Sequence, residues 1–389
     1  MSDELLDVRY ARWDGVDRPF TLVTTTTPAS PGEGEVLVRI DLATVCGSDL
    51  HTVNGRRASP VPALLGHEQV GTVLAVGPGA PSCVDGTPVV PGRRVVWSVT
   101  ASCGTCPRCL RGHPQKCREL RKYGHEPLDE QAPLLGGFAT HCVLLPGTAI
   151  VAVPEGLPDA VAAPASCATA TVAAAIAAAG PLEGREVLVT GAGMLGLTAV
   201  AMAALGGARV TAVDPSPARR ARAAEFGATR VLDVGEPPGR ADIALELSGS
   251  TDAVRMCLSA LDIGGTAVLA GSVSPADAVP VDPEWLVRGL RTVTGVHNYR
   301  PADLDAAVAF LAARHAAHPF AELVEGAHSL GELGAAVRAA RGADAPRQAV
   351  LPGLGRAGSH PRGPGAQRVT PERVTPERVT PGTRDPRHG

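Results

Sequence analysis

The chain has 389 residues, with 36 Lys plus Arg against 39 Asp plus Glu and a formal net charge of −3. It is long enough for two separately cored domains, and its charge balance excludes a polyelectrolyte partner such as nucleic acid or a membrane surface. Composition is rich in Ala, Gly, Pro and Arg, with lysine only at positions 116 and 122, a bias that reads as genomic rather than functional.

The first fifteen residues, MSDELLDVRYARWDG, carry early acids and no apolar core. They predict no secretory signal, hence a cytoplasmic location. Up to about residue 150 short apolar runs such as Val36 to Ile40, Val70 to Val76 and Val95 to Ser98 are punctuated by Gly and Pro and predict a β-rich domain.

Within that region Val45 to Glu68 reads VCGSDLHTVNGRRASPVPALLGHE. Cys46 and His67 are donors suited to zinc. Ser48, Asp49, His51 and Glu68 are groups that move protons and orient ligands around such a metal. Next come Cys103, Cys106, Cys109 and Cys117 in CGTCPRCLRGHPQKC. Four thiolates on one short loop predict a closed tetrahedral structural zinc site, because no coordination position remains open. A redox CxxC is the competitor, but the cluster has no βαβ context.

The uncharged run Ala160 to Gly180 is interrupted by Pro164, so it predicts a buried segment and not a membrane span. From about Glu186 strand and helix patterns alternate. Strands are expected at 186–191, 209–214, 229–234, 243–249, 266–271 and 291–296, with helices at 194–206, 217–227 and 252–262. That alternation predicts a parallel, doubly wound sheet. Helices are then expected at 301–314 and about 329–341, and 348–351 as a strand returning to the first domain. Residues 368–382 repeat RVTPE, RVTPE, RVTPG, a short Pro-containing period that cannot build a core, which predicts a disordered tail over 353–389. Nine cysteines, an odd number, favour metal ligation and free thiols, with Cys83, Cys142 and Cys257 as buried thiols.

Gly191, Gly193 and Gly196 in GAGMLG, with Met194 and Leu195 between them, follow an expected strand and open an expected helix. The pattern supplies a tight turn, close approach to a pyrophosphate and free N–H groups for the anion. Asp214 ends the next strand, where a carboxylate binds ribose hydroxyls and repels a 2′-phosphate. This favours NAD over NADP, while Arg219 and Arg220 nearby keep NADP open. A nicotinamide site and a zinc site in one chain imply hydride transfer assisted by a Lewis acid.

With CGSDLH, GHE, the four-cysteine lobe and GAGMLG plus Asp214 in this order, the chain resembles the medium-chain zinc-dependent alcohol dehydrogenase family from about residue 20 to 352. The resemblance implies an α/β protein: a GroES-like β-rich catalytic domain over 1–160, a Rossmann domain over 161–295 and a catalytic-domain return over 296–352. It implies two zincs per chain. Cys46, His67 and Cys167 would hold the catalytic one, with Glu68 binding it transiently or standing behind it and Asp49 orienting His67. The fourth zinc position would take the substrate alcohol, and Ser48 and His51 would relay its proton. The substrate would be a small alcohol, or an aldehyde or ketone in reverse, and the assembly a homodimer or homotetramer through the cofactor domains. HTVNGRR and GVHNYRPADL resemble a subgroup associated with phosphonate metabolism, so Arg56 and Arg57 are either an anion clamp or a solvated surface. Competing expectations are a zinc-free quinone or enoyl reductase of the same superfamily and a catalytically silent zinc-binding interaction protein.

Overall fold

The structure, a computed structural model, describes residues 4–79, 81–129, 134–342 and 345–354. The repeat tail from 355 onward, and the expectation attached to it, lies outside the described residues.

The first part of the chain forms β1 (Leu5–Trp13), β2 (Thr21–Pro28), β3 (Val36–Thr44), α1 (Gly47–Val53), β4 (Ala63–Leu64), β5 (Gln69–Val76), β6 (Arg94–Ala101), α2 (Pro107–Leu110), β7 (Arg121–Lys122), β8 (His141–Leu144), β9 (Thr148–Ala152) and α3 (Asp159–Ala162). The Val-rich runs become β3, β5 and β6 because β-branched side chains pack well on a pleated surface covered by other elements. β1 pairs β2 and β4 antiparallel in a small sheet of their own. β3, β5, β6 and β7 follow one another in a second sheet, with β8 and β9 paired to β3 and β6.

A 3₁₀ turn, Ala163–Ser166, leads into α4 (Ala168–Ala179). The helical stretch bends by 55° where Cys167 leaves helical geometry, just after Pro164. Among the described residues no single helix is long and apolar enough to cross a membrane.

Six parallel strands follow: β10 (Glu186–Thr190), β11 (Arg209–Val213), β12 (Arg230–Leu232), β13 (Ala241–Glu246), β14 (Leu261–Leu269) and β15 (Thr292–Gly295). Between them lie α5 (Met194–Leu205), α6 (Pro217–Glu225), α7 (Thr251–Ala260) and α8 (Pro283–Arg288). Their spatial order, β12-β11-β10-β13-β14-β15, is that of a full dinucleotide-binding sheet, and the crevice outside the strand C-termini falls beside β10.

The remaining elements are α9 (Pro301–Arg314), β16 (Val324–His328), α10 (Leu333–Ala339) and β17 (Arg347–Val350). The single helix expected at 329–341 is instead a 3₁₀ turn, Leu330–Glu332, followed by the shorter α10. The Glu332 carboxylate accepts from the Ser329 N–H and hydroxyl and fixes that first tight turn. β17 pairs antiparallel with β3, so the chain returns here to the second sheet, among strands formed before the parallel sheet.

One apolar cluster joins the two halves. It contains Leu42, Val70 and Val96 from the second sheet, Val172 from α4, Val189 and Leu197 from the parallel-sheet half, and Leu304 and Val308 from α9. Burying a Val or Leu is worth about 1.5–3 kcal/mol, so this shared core sets the cleft walls in fixed register.

Candidate active site

Three donors far apart in sequence converge. Cys46 caps the N-terminus of α1, His67 lies between β4 and β5, and Cys167 sits at the bend before α4. One ligand atom from each lies within 4.8 Å of the others. Cys46 and His67 are buried, while Cys167 is partly open to the cleft. Two sulfurs and an imidazole in this arrangement suit zinc with one position left for substrate.

The surroundings favour a cation there. The Asp49 carboxylate accepts from the Cys46 N–H at 2.9 Å and lies 3.4 Å from His67 Nδ1, while Ser48 Oγ is 3.0 Å from His67 Nε2. Asp49 is thus placed to hold one ring nitrogen while the other faces the donors. Burial works against a protonated His67, but Asp49 and the Cys46 sulfur outweigh it and raise the ring to about 10. The hydrogen bond from Cys167 and the charge of Arg347 overcome burial and hold Cys46 well below the usual thiol range. Cys167 in turn is pushed up by its hydrogen bond to Cys46 and by burial.

Glu68 stands behind the three donors and is not grouped with them. Its carboxylate is gripped by the buried Arg347 guanidinium at 2.5 and 2.8 Å and accepts from Thr44 Oγ1 at 2.7 Å. Burial pushes its carboxyl up and Arg347 pulls it back. Arg347 also reaches Cys46 Sγ at 3.4 Å. This clamp had no sequence signal: Arg347 opens a strand 279 positions from Glu68, among many other arginines.

In the second cluster, Cys106 Sγ lies 3.6 Å from Cys109 Sγ and 3.9 Å from Cys117 Sγ, and Cys117 Sγ lies 3.4 Å from Cys103 Sγ. A zinc–sulfur bond of about 2.3 Å implies tetrahedral edges of about 3.8 Å, so these spacings fit a four-thiolate cage. Backbone N–H groups of Cys103, Cys106 and Glu119 point at the sulfurs at 3.3–3.4 Å, as stabilisers of thiolate charge. Backbone donors lower Cys106 to about 6. Cys83, Cys142 and Cys257 are buried free thiols, as expected.

The glycine turn runs from β10 into α5. Gly191 has φ +89°, and a Cβ there would lie 2.9 Å from Ser248 Cα; at Gly196 it would lie 1.7 Å from the Gly191 carbonyl. Around Gly193 the space is open, which is the room a pyrophosphate needs at that turn. Asp214 is buried at the end of β11, accepts from Ala192 N–H at 2.8 Å and Ser216 N–H at 2.9 Å, and lies 3.9 Å from Arg219. It therefore ties the turn to the neighbouring strand.

A cleft of about 280 Å³ brings both halves together. Cys46, His67, Cys167, Ser48 and His51 line it together with Gly193, Met194 and Leu195. Arg57 lines it too, but the exposed Arg56 does not. Lys122, His125 and His297 line it as well; His297 comes from GVHNYRPADL, while no motif marked Lys122 or His125, and burial with the nearby cations holds both imidazoles below their usual range. His125 lies against His67, ring centroids 4.9 Å apart.

The sequence matches the alcohol dehydrogenase GroES-like domain over residues 32–155 and the zinc-binding dehydrogenase domain over residues 195–313. It is 34% identical to an L-threonine 3-dehydrogenase of Anaeromyxobacter sp. (strain Fw109-5), covering 64% of this chain and 72% of that protein. It is 30% identical to 5-exo-hydroxycamphor dehydrogenase of Pseudomonas putida, covering 79% and 89%. Among solved structures, an alcohol dehydrogenase from Thermotoga maritima superposes with TM-score 0.81 at 29% identity, covering 89% of this chain and 99% of that one. A zinc-binding dehydrogenase from Sinorhizobium meliloti 1021, bound to NADP, gives 0.78 at 25% identity, covering 89% and 100%.

Proposed function

The chain belongs to the medium-chain zinc-dependent alcohol dehydrogenase family, and from that premise we propose that it oxidises a small alcohol with NAD, or reduces the aldehyde or ketone in reverse. The observation that carries this reading is the single cleft in which the Cys46–His67–Cys167 donors face the same space as the Gly193–Leu195 turn. When bound there, zinc supplies a Lewis acid that lowers the pKa of an alcohol; in the four-cysteine lobe it supplies a cross-link.

The chain's own residues do the rest. Ser48 takes the substrate hydroxyl proton and passes it to His51, its neighbour one turn along α1. A nicotinamide held at the Gly191–Gly196 turn would supply the two-electron hydride acceptor that balances oxidation of the alcohol. Asp49 holds the His67 ring through Nδ1. The turn at Gly193 admits the pyrophosphate, and Asp214 disfavours a 2′-phosphate by charge.

The relatives act on an amino acid and on a hydroxylated terpenoid, so family membership leaves the substrate open. Arg57 in the cleft lining supports an alcohol bearing an anion such as phosphonate. Nine free cysteines, seven of them in the two donor clusters, accord with the reducing cytoplasm. Exposed Ile263, Val287 and Leu290 in the cofactor half support a homodimer or homotetramer, which sedimentation analysis tests.

The decisive experiment is turnover of zinc-loaded protein with NAD and NADP on an alcohol panel, beside metal analysis. Two zincs per chain and NAD-linked oxidation are expected. A preference for NADP overturns the role given to Asp214, and absence of turnover on every alcohol and aldehyde overturns the reaction.

A further inference from the structure

Lysine occupies only two of the 36 Lys and Arg positions in the chain. In composition that is a bias; in space it is a placement. Both lysines come from the four-cysteine lobe and the strand that leaves it. Lys122, on β7, lines the cleft with Arg57, His125 and His297. Lys116, one residue before Cys117, touches His297 Nδ1 through its Nζ.

Among the described residues no aspartate or glutamate lines the cleft to face the Lys122 and Arg57 charges. Arg347, by contrast, is matched by Glu68, and Arg94 by Asp159. Among the described residues no carboxylate lies in ion-pair contact with Lys122 or Arg57. Burial, then the neighbouring Arg57 charge, holds the Lys122 ammonium down to about 8, and the Cys167 and Cys46 sulfurs offset this only in part. A bound anion relieves that repulsion, and in a partly desolvated cleft the attraction is stronger than at an open surface.

We infer that Lys122, with Arg57, anchors an anionic group on the substrate, so that the four-cysteine lobe is a specificity element as well as a structural one. The ligand class is a small alcohol or aldehyde carrying phosphonate, phosphate or carboxylate, and the inference rests on the dehydrogenase reading for its substrate but not for its anion site. An ammonium suits this place because it is a compact point charge on a flexible stem, able to follow anions of different shape, with the planar guanidinium beside it. The cofactor's phosphates are the rival occupant, but their turn belongs to β10 and α5, whereas Lys122 and Arg57 belong to the second sheet and the segment after α1.

The test has a binding arm and a turnover arm. Zinc-loaded full-length protein and its Lys122→Met and Lys122→Arg variants are titrated calorimetrically with methylphosphonate, acetate and NAD. Kinetics follow on matched alcohols ending in phosphonate, carboxylate or methyl. At least one anion binds the unaltered protein, Lys122→Met weakens it tenfold or more, and Lys122→Arg restores most of the loss. The rise in KM for the anionic alcohol exceeds that for its methyl-ended analogue by tenfold or more, and the excess shrinks with added salt. Arg57→Met gives the same selective loss and serves if Lys122→Met does not fold. Neither anion binding the unaltered protein, equal losses on charged and neutral alcohols, or a loss confined to NAD overturns the inference. Lys122-dependent anion binding without turnover of any alcohol upholds the anchor and overturns the dehydrogenase reading instead.

Discussion

The two sulfur-rich clusters differ in how they are built. The lobe takes its four cysteines from positions 103 to 117, on one loop with backbone N–H groups aimed at the sulfurs. The cleft cluster takes Cys46 from a helix cap, His67 from an inter-strand segment and Cys167 from a helix bend. A local cage needs little beyond its own loop. An assembled site depends on the shared core that brings three elements together, and its three donors, against the lobe's four, would leave one position open on a bound zinc.

Breaking each cluster separately sharpens the contrast. Cys46→Ala has the largest expected effect: losing several kcal/mol of Lewis-acid assistance, at about 1.4 kcal/mol per tenfold, lowers kcat/KM by about a thousandfold. Metal analysis of the same variant retains the lobe zinc; loss of both metals breaks the claim that the clusters are independent. Arg347→Met comes next, because it leaves the buried Glu68 carboxylate and the Cys46 sulfur without their cation. Removing one partner of a buried pair costs about 3–5 kcal/mol. Denaturant unfolding reads that loss, and adding Glu68→Leu recovers much of it if the pair is the cause.

Asp49→Asn keeps the shape of the His67 partner and removes its charge. Chelator competition is expected to show affinity at the cleft site falling about 10–100-fold, with the lobe unaffected. Cys103→Ser has the smallest expected effect on chemistry. It releases the lobe metal and lowers Tm by about 5 °C, on the scale of a few degrees per kcal/mol, with kcat on a neutral alcohol falling less than for Cys46→Ala. A collapse of kcat equal to that of Cys46→Ala shows that the lobe is not a separate module.

Much of this was legible in residue order. The alternation from Glu186 to Val296 predicts the parallel sheet because short apolar strand runs are separated by helical stretches. α9 falls at 301–314 as its spacing predicts. The tight turn of Ser329 with Glu332 was missed because a side-chain hydrogen bond, not apolar period, decides where that helix begins. In the cleft, Cys46, Ser48, Asp49 and His67 stood out because they crowd one stretch. Cys167 was reached only by resemblance.

The sequence by itself determined the four-cysteine loop, the glycine turn and the alternation of strands and helices, since each is written within a few residues or in a repeating period. Tertiary structure alone decided what stands behind and around the reacting space. Arg347 meets Glu68 across 279 positions, Lys122 and Arg57 share one wall, and Arg56 stands outside it. Charges separated by that much chain have no common period or motif; they interact only because packing places them within a few ångströms, where Coulomb energy is large.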